Sequence, residues 1–145
     1  MGTLKHLFNI PDKFPAPVAN SIIWISRKGL NDRNIEWEDK ILAQFPQIEK
    51  VDLSLLDVDE TIAKFQYVTH VIAPHGAGLS NIYICAQGTK ILEVYPDDAY
   101  FKPCFYRLSA ICKLEHAVMY LDFKNSGNTK TGLQAFNNAF TKFAC

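Results

Sequence analysis

Apolar residues occur in two patterns that alternate along the chain. Short runs rich in β-branched residues predict buried strands at residues 21–26, 49–53, 70–74, 90–95 and 117–121. Between these runs, apolar residues at helical spacing predict helices at residues 37–45, 58–65, 105–114 and 131–143. This alternation predicts an α/β fold: a single Rossmann-like domain with a mostly parallel sheet and helices on both faces.

Capping and turn residues refine these elements. Asp57 is predicted to cap the second helix, with Glu60 as its capping-box partner. A glycine-containing loop leads into Leu79–Cys85, which is predicted to open a further helix. Residues 1–20 carry three prolines and no periodicity, which predicts an irregular N-terminal arm before a domain at residues 21–145.

Charge and composition exclude several classes of partner. Lys and Arg total 15 and Asp and Glu total 15, so the chain lacks the basic excess expected for binding nucleic acid or a membrane surface. No apolar run approaches the roughly 20 residues of a membrane span, and no signal-peptide core is present. The four cysteines form no C-x-x-C pair, which favours reduced thiols and a cytoplasmic location, although their even number leaves a disulfide open.

The loop at residues 74–81, Pro-His-Gly-Ala-Gly-Leu-Ser-Asn, is the strongest candidate for a ligand site. In open α/β sheets, ligands bind outside the carboxyl ends of the strands, and the amides that open a following helix point at an anion. A tight turn without a ligand is the alternative. The dinucleotide pattern G-x-G-x-x-G fails because position 81 is Asn, and neither a Walker A sequence nor a G-x-S-x-G elbow is present.

The same loop resembles the signature of glycosyltransferase family 61. Other features occur in the family's order: a strand leading to Arg27 and then Arg33, the segment 59–65, and a strand ending in Glu93. The resemblance spans about residues 21–121, while Glu36 and Thr61 depart from the family's pattern.

The resemblance implies the donor-side half of a GT-B-type architecture, with the acceptor side supplied by another domain or subunit. The resemblance implies that the substrate is a nucleotide sugar, with a UDP-sugar expected, and that no cofactor is needed. The residues expected to bind this donor are Arg27, Arg33, His75, Gly76, Ala77, Gly78, Leu79, Asn81 and Glu93. The alternative is a non-catalytic nucleotide or nucleotide-sugar binding module that needs a partner domain.

Each candidate residue has an expected role and an alternative one. The arginines would clamp the diphosphate or else be solvated loop residues, and Glu93 would accept from ribose hydroxyls or else be a surface carboxylate. His75 would bind phosphate or sugar or else order its own loop, and Asn81 would contact the donor or else cap a helix. No catalytic residue is assigned. No metal site is expected, because the D-x-D string at residues 57–59 is interpreted as a helix start.

The remaining histidines, among them His70 and His116, show no evident partner in the sequence and are interpreted as structural.

Overall fold

A computed structural model describes residues 20–30, 34–96, 101–124 and 129–145. In these residues, five parallel strands form one sheet in the order β2-β1-β3-β4-β5: β1 Ile22–Ile25, β2 Ile48–Val51, β3 His70–Pro74, β4 Lys90–Tyr95 and β5 Glu115–Tyr120. The α-helices are α1 Glu38–Leu42, α2 Val58–Gln66, α3 Cys104–Cys112 and α4 Thr129–Ala144. Two 3₁₀ helices cover Leu53–Leu55 and Ala77–Ile84. The predicted arm lies outside the described residues apart from Asn20.

Hydrophobic packing covers both faces of the sheet. One core cluster places Trp24 and Ile72 against α1 and α4, where Phe136 and Phe140 are buried. The second cluster lies under α2, α3 and the second 3₁₀ helix and is formed by the side chains that alternate with the first set. Strands β1, β3 and β4 are accordingly buried along almost their whole length, as expected for parallel strands covered on both sides. The predicted α/β fold with helices on both faces is confirmed.

The strand order fixes where a ligand can bind. From β1 the chain crosses to β2 on one side, and β3 then lies on the other side of β1. The order 2-1-3-4-5 reverses direction at β1 and β3, so the loops that leave these two strands diverge and open a crevice at their carboxyl ends. The loop that begins at Ser26 and the glycine-containing loop therefore face the same opening.

The helix after the glycine loop differs from the prediction. Ala77–Ile84 is a 3₁₀ helix rather than the α-helix that the sequence suggested. Leu79, Ile82 and Cys85 recur every third residue and are all buried, which matches the three residues per turn of a 3₁₀ helix. Glycine, serine and asparagine in this stretch also have low α-helical propensity.

The capping prediction for α2 is confirmed. The Asp57 side chain accepts from the Glu60 amide at 2.8 Å, and the Glu60 side chain accepts from the Asp57 amide at 2.9 Å. The predicted apolar face of this helix is only partly right, because Val58 is 61% exposed while Phe65 is fully buried. Val58 is the first residue of α2.

Among the helices that the structure describes, none combines the length and apolarity needed to cross a bilayer.

His70 makes the stability of the fold depend on pH. It is buried at the start of β3, its Nδ1 lies 2.8 Å from the Thr69 hydroxyl, and its ring contacts Phe143. Burial, and then the charge of Lys90, lowers the pKa of His70 below its ordinary value of 6.5, against a smaller opposing effect of Glu115. In the unfolded chain the His70 imidazole takes up a proton more readily than in the folded protein. The free energy of unfolding therefore falls as the pH drops below 6.5.

We predict that His70→Asn, which can keep the hydrogen bond to Thr69, weakens this dependence. Urea unfolding at pH 7.5 and at about pH 5 would measure it. The loss of unfolding free energy on acidification should be smaller in the variant than in the unmodified protein. An equal loss in both proteins would contradict the assignment.

Candidate ligand site at the carboxyl edge of the sheet

A cavity of about 170 Å³ lies at the point where the strand order reverses. Three loops line it, one from the carboxyl end of each of β1, β2 and β3. They contribute residues 26–28, residues 52–54 and residues 77–79, respectively. We call this cavity the switch-point pocket. Apolar side chains from Ile25 and Leu53 form part of its wall, so the cavity combines a hydrophobic surface with polar groups from three loops.

Arg27 and Gly76 approach each other closely beside this pocket. A Cβ atom added to Gly76 would fall on the Arg27 guanidinium, within 2.7 Å of its Cζ. The Gly76 backbone is extended, with φ 168° and ψ 176°, so its conformation does not require glycine. A side chain at position 76 would instead force the Arg27 guanidinium to move from its position over the loop.

Gly78 is also tightly surrounded. An added Cβ would lie 3.1 Å from Ile25 Cγ2 and 3.1 Å from Leu53 Cδ1, two atoms of the pocket wall. The first amide to bond within the 3₁₀ helix is that of Leu79, which donates to the Gly76 carbonyl at 3.0 Å. The earlier amides of Ala77 and Gly78 have no carbonyl to reach within the helix, and both residues line the pocket.

A buried carboxylate that the sequence analysis missed supports the Arg27 loop. Glu38 is 2% exposed and accepts from Trp24 Nε1 at 3.0 Å and from the Ser26 hydroxyl at 2.7 Å. Lys50 Nζ lies 2.8 Å from the same carboxylate. The Ser26 oxygen in turn accepts from the Lys28 amide at 3.2 Å. The loop that carries Arg27 is therefore tied to the core on its inner side.

Neighbouring charges extend this support to the surface. Asp39 lies 2.8 Å from Lys28 Nζ and 2.7 Å from Lys50 Nζ, and these hydrogen bonds lower the pKa of Asp39 to about 2. Burial alone would lower the pKa of Lys50, but hydrogen bonds to Asp39 and Glu38 raise it. Both ammonium groups thus already have carboxylate partners, in contrast to a free anion-binding lysine.

The histidine–glutamate network, formed by His75, Glu93, His116 and Ser109, supports the glycine loop from the other side. Glu93 is fully buried; its Oε1 lies 2.5 Å from His75 Nδ1 and its Oε2 lies 3.0 Å from His116 Nε2. His116 Nδ1 lies 2.7 Å from the Ser109 hydroxyl. A Glu93 carboxylate only accepts, so both imidazoles donate to it.

This network corrects two expectations. Glu93 is not a surface carboxylate, since its side chain is 0% exposed. His116 does have polar partners, on two different elements of the fold. The expected contact of Glu93 with ribose stays a prediction. In the arrangement described here both of its oxygens bind imidazoles.

His75 lies beneath the glycine loop rather than in the wall of the pocket. Its ring is 4% exposed and stacks on Tyr95 with centroids 4.9 Å apart. Phe105 flanks it at 5.3 Å. The Tyr95 hydroxyl donates to the Lys102 carbonyl at 2.8 Å, and burial and then the charge of Glu93 raise the Tyr95 pKa. His75 therefore joins the glycine loop to β4 and α3.

The other candidates fall in different places. Ala77 is exposed beside the pocket, whereas Leu79 is fully buried, with part of its surface in the pocket wall. Asn81 does not cap a helix: it lies inside the 3₁₀ helix, whose cap position is Gly76, and donates to the Gly78 carbonyl at 3.2 Å. Arg33 lies outside the described residues.

We predict that the hydrogen bond from His116 to Glu93 contributes more to the free energy of unfolding than the packing of the imidazole ring does. His116→Gln can place an amide N–H near Glu93, whereas His116→Leu leaves one buried carboxylate oxygen without a donor. The leucine variant should lose about 2 kcal/mol more unfolding free energy than the glutamine variant, measured by urea denaturation. Equal losses would show that Glu93 does not depend on this hydrogen bond.

Comparison with known proteins bears on the loops just described. Residues 3–92, more than half of the chain, match a protein-family model described as Glycosyltransferase 61. A search of curated proteins gave no match. The matched range contains Arg27 and the glycine loop, and it ends one residue before Glu93. The resemblance seen in the sequence is thereby confirmed, and the chain belongs to glycosyltransferase family 61.

Proposed function

We propose that the switch-point pocket binds the diphosphate of a nucleotide sugar, so that this domain holds the donor of a glycosyl-transfer reaction. The observation that carries the proposal is the Arg27 guanidinium lying over Gly76, beside a pocket lined by the first residues of a 3₁₀ helix. A guanidinium can bind two phosphate oxygens at once, and helix-opening amides add donors to the same anion.

Arg27 is the pocket-lining cation that we assign to the diphosphate, because its guanidinium lies over the glycine loop. Lys28, which also lines the pocket, is bonded to Asp39, and Lys50 is shared between two carboxylates. Glycosyl transfer breaks the bond between the anomeric carbon and the diphosphate oxygen, and the leaving diphosphate gains negative charge. A fixed guanidinium stabilises that charge as it develops, and a donor site built in this way needs no metal ion.

The donor we expect is a UDP-sugar, on the strength of the family resemblance. An acceptor hydroxyl would replace the nucleotide at the anomeric carbon and lose its proton to a base. We assign no base among the described residues. We expect the acceptor side of the cleft, in a GT-B-type arrangement, to come from another domain or subunit.

Two variants test the diphosphate site by calorimetric titration with UDP, GDP and CMP. Arg27→Ala removes the guanidinium, and Gly76→Val keeps Arg27 but fills the space that its guanidinium occupies. Each should weaken UDP binding by about tenfold or more, the range expected for a lost charge-assisted hydrogen bond.

Arg107→Ala is the matched control, because Arg107 is an exposed arginine on α3 that does not line the pocket. It should bind UDP as the unmodified protein does. Absence of UDP binding by the unmodified protein, or undiminished binding by both test variants, would refute the proposal. Binding without transfer in the presence of an acceptor would favour the non-catalytic module.

A further inference from the structure

The loop after β2 also contributes polar groups to the lining of the switch-point pocket. Asp52 is the first residue beyond that strand, and both Asp52 and Ser54 line the pocket. Val51 pairs with Ile25, and the Ser26 amide donates to the Val51 carbonyl at 2.8 Å. Asp52 therefore lies level with the start of the Arg27 loop, about one strand spacing of 4.8 Å away.

The Asp52 carboxylate is held in a fixed orientation. Its Oδ1 accepts from the Ser54 amide at 3.0 Å and from the Ser54 hydroxyl at 2.6 Å. Among the described residues, no donor is bonded to Oδ2. The bonds from Ser54 lower the pKa of Asp52, so that the group is a carboxylate at neutral pH. One oxygen is thus anchored, and the other can accept a hydrogen bond from a ligand.

The lining of the pocket contains groups of opposite charge, Arg27 and Asp52. A diphosphate is repelled by a carboxylate, whereas vicinal hydroxyl groups donate to one readily. Glu93, the acid that the sequence pattern assigned to a ribose, has both oxygens bonded to imidazoles. Asp52 is instead a carboxylate in the wall of the pocket itself.

A second depression of the surface adjoins the switch-point pocket. A groove of about 300 Å³ between α2 and the second 3₁₀ helix shares Leu53 with the pocket. Thr61, Asn81 and Tyr83 line that groove, and they offer hydrogen-bonding groups and an aromatic ring. The groove adjoins the pocket at Leu53, the residue after Asp52, so a base bound in the groove would have its ribose near Asp52.

We propose that Asp52 binds the ribose hydroxyls of the nucleotide and makes the pocket selective for ribonucleotides over 2′-deoxyribonucleotides. This inference rests on the diphosphate site proposed above. Asp52→Asn keeps an oxygen for the bonds from Ser54 but replaces the accepting Oδ2 with an amide that only donates.

The test is calorimetric titration with UDP, 2′-deoxy-UDP and inorganic pyrophosphate. The unmodified protein should bind UDP about tenfold more tightly than 2′-deoxy-UDP, because a hydrogen bond to a charged acceptor is lost. In Asp52→Asn this ratio should fall close to one, while pyrophosphate binds at least as tightly as before, because a negative charge beside it has been removed. Asp59→Asn, an exposed aspartate on α2 outside the pocket, should keep the unmodified ratio.

The alternative outcomes separate the two proposals. UDP binding with an unchanged ratio in Asp52→Asn would overturn the role of Asp52 and leave the diphosphate site standing. A parallel loss of pyrophosphate binding would also overturn it, because Asp52 would then act on the pocket as a whole. If the unmodified protein binds neither UDP nor pyrophosphate, the diphosphate site and the role of Asp52 both fail.

Discussion

The close packing of the Arg27 side chain over Gly76 is the contact on which the candidate site depends. It needs β1 and β3 to be neighbours, so that the loops leaving their carboxyl ends meet. It also needs a residue without a Cβ at position 76, because any larger side chain would displace the guanidinium. The fold meets the first condition through its strand order, and the sequence meets the second with a single glycine.

Two buried carboxylates hold the two loops from inside the protein. Glu38 binds Trp24 and Ser26 under the Arg27 loop, and Glu93 binds His75 under the glycine loop. A buried carboxylate is costly unless its oxygens are hydrogen-bonded, and each of these has donors on both oxygens. The site thus rests on groups that are well ordered before any ligand arrives, which limits the entropy lost on binding.

Local patterns predicted the elements of the fold well. The apolar runs gave all five strands of the described sheet, and Asp57 with Glu60 gave the start of α2, because strands and caps are encoded within a few residues. The 3₁₀ helix after the glycine loop was missed, although its buried residues recur every third position. Over so short a stretch, a period of three residues is difficult to distinguish from the 3.6-residue period of an α-helix.

The polar contacts within the core could not be predicted, because they depend on strand register. Glu93 pairs with Val118 across β4 and β5, which brings His116, two residues earlier, to the same face of the sheet as Glu93. Glu38 likewise meets Trp24 only after α1 packs on β1. Of the expected donor-binding residues, the structure brings Arg27 and residues 76–79 together, whereas Glu93 and His75 lie behind them.

The most direct test of the account is a map of amide chemical-shift changes when UDP is added to the isotopically labelled protein. The account predicts that the largest changes fall on residues 26–28, 52–54 and 76–79, the three loops around the switch-point pocket. Changes centred elsewhere, such as the groove near Glu49 and Tyr67 on the opposite side of α2, would contradict it, as would the absence of any change.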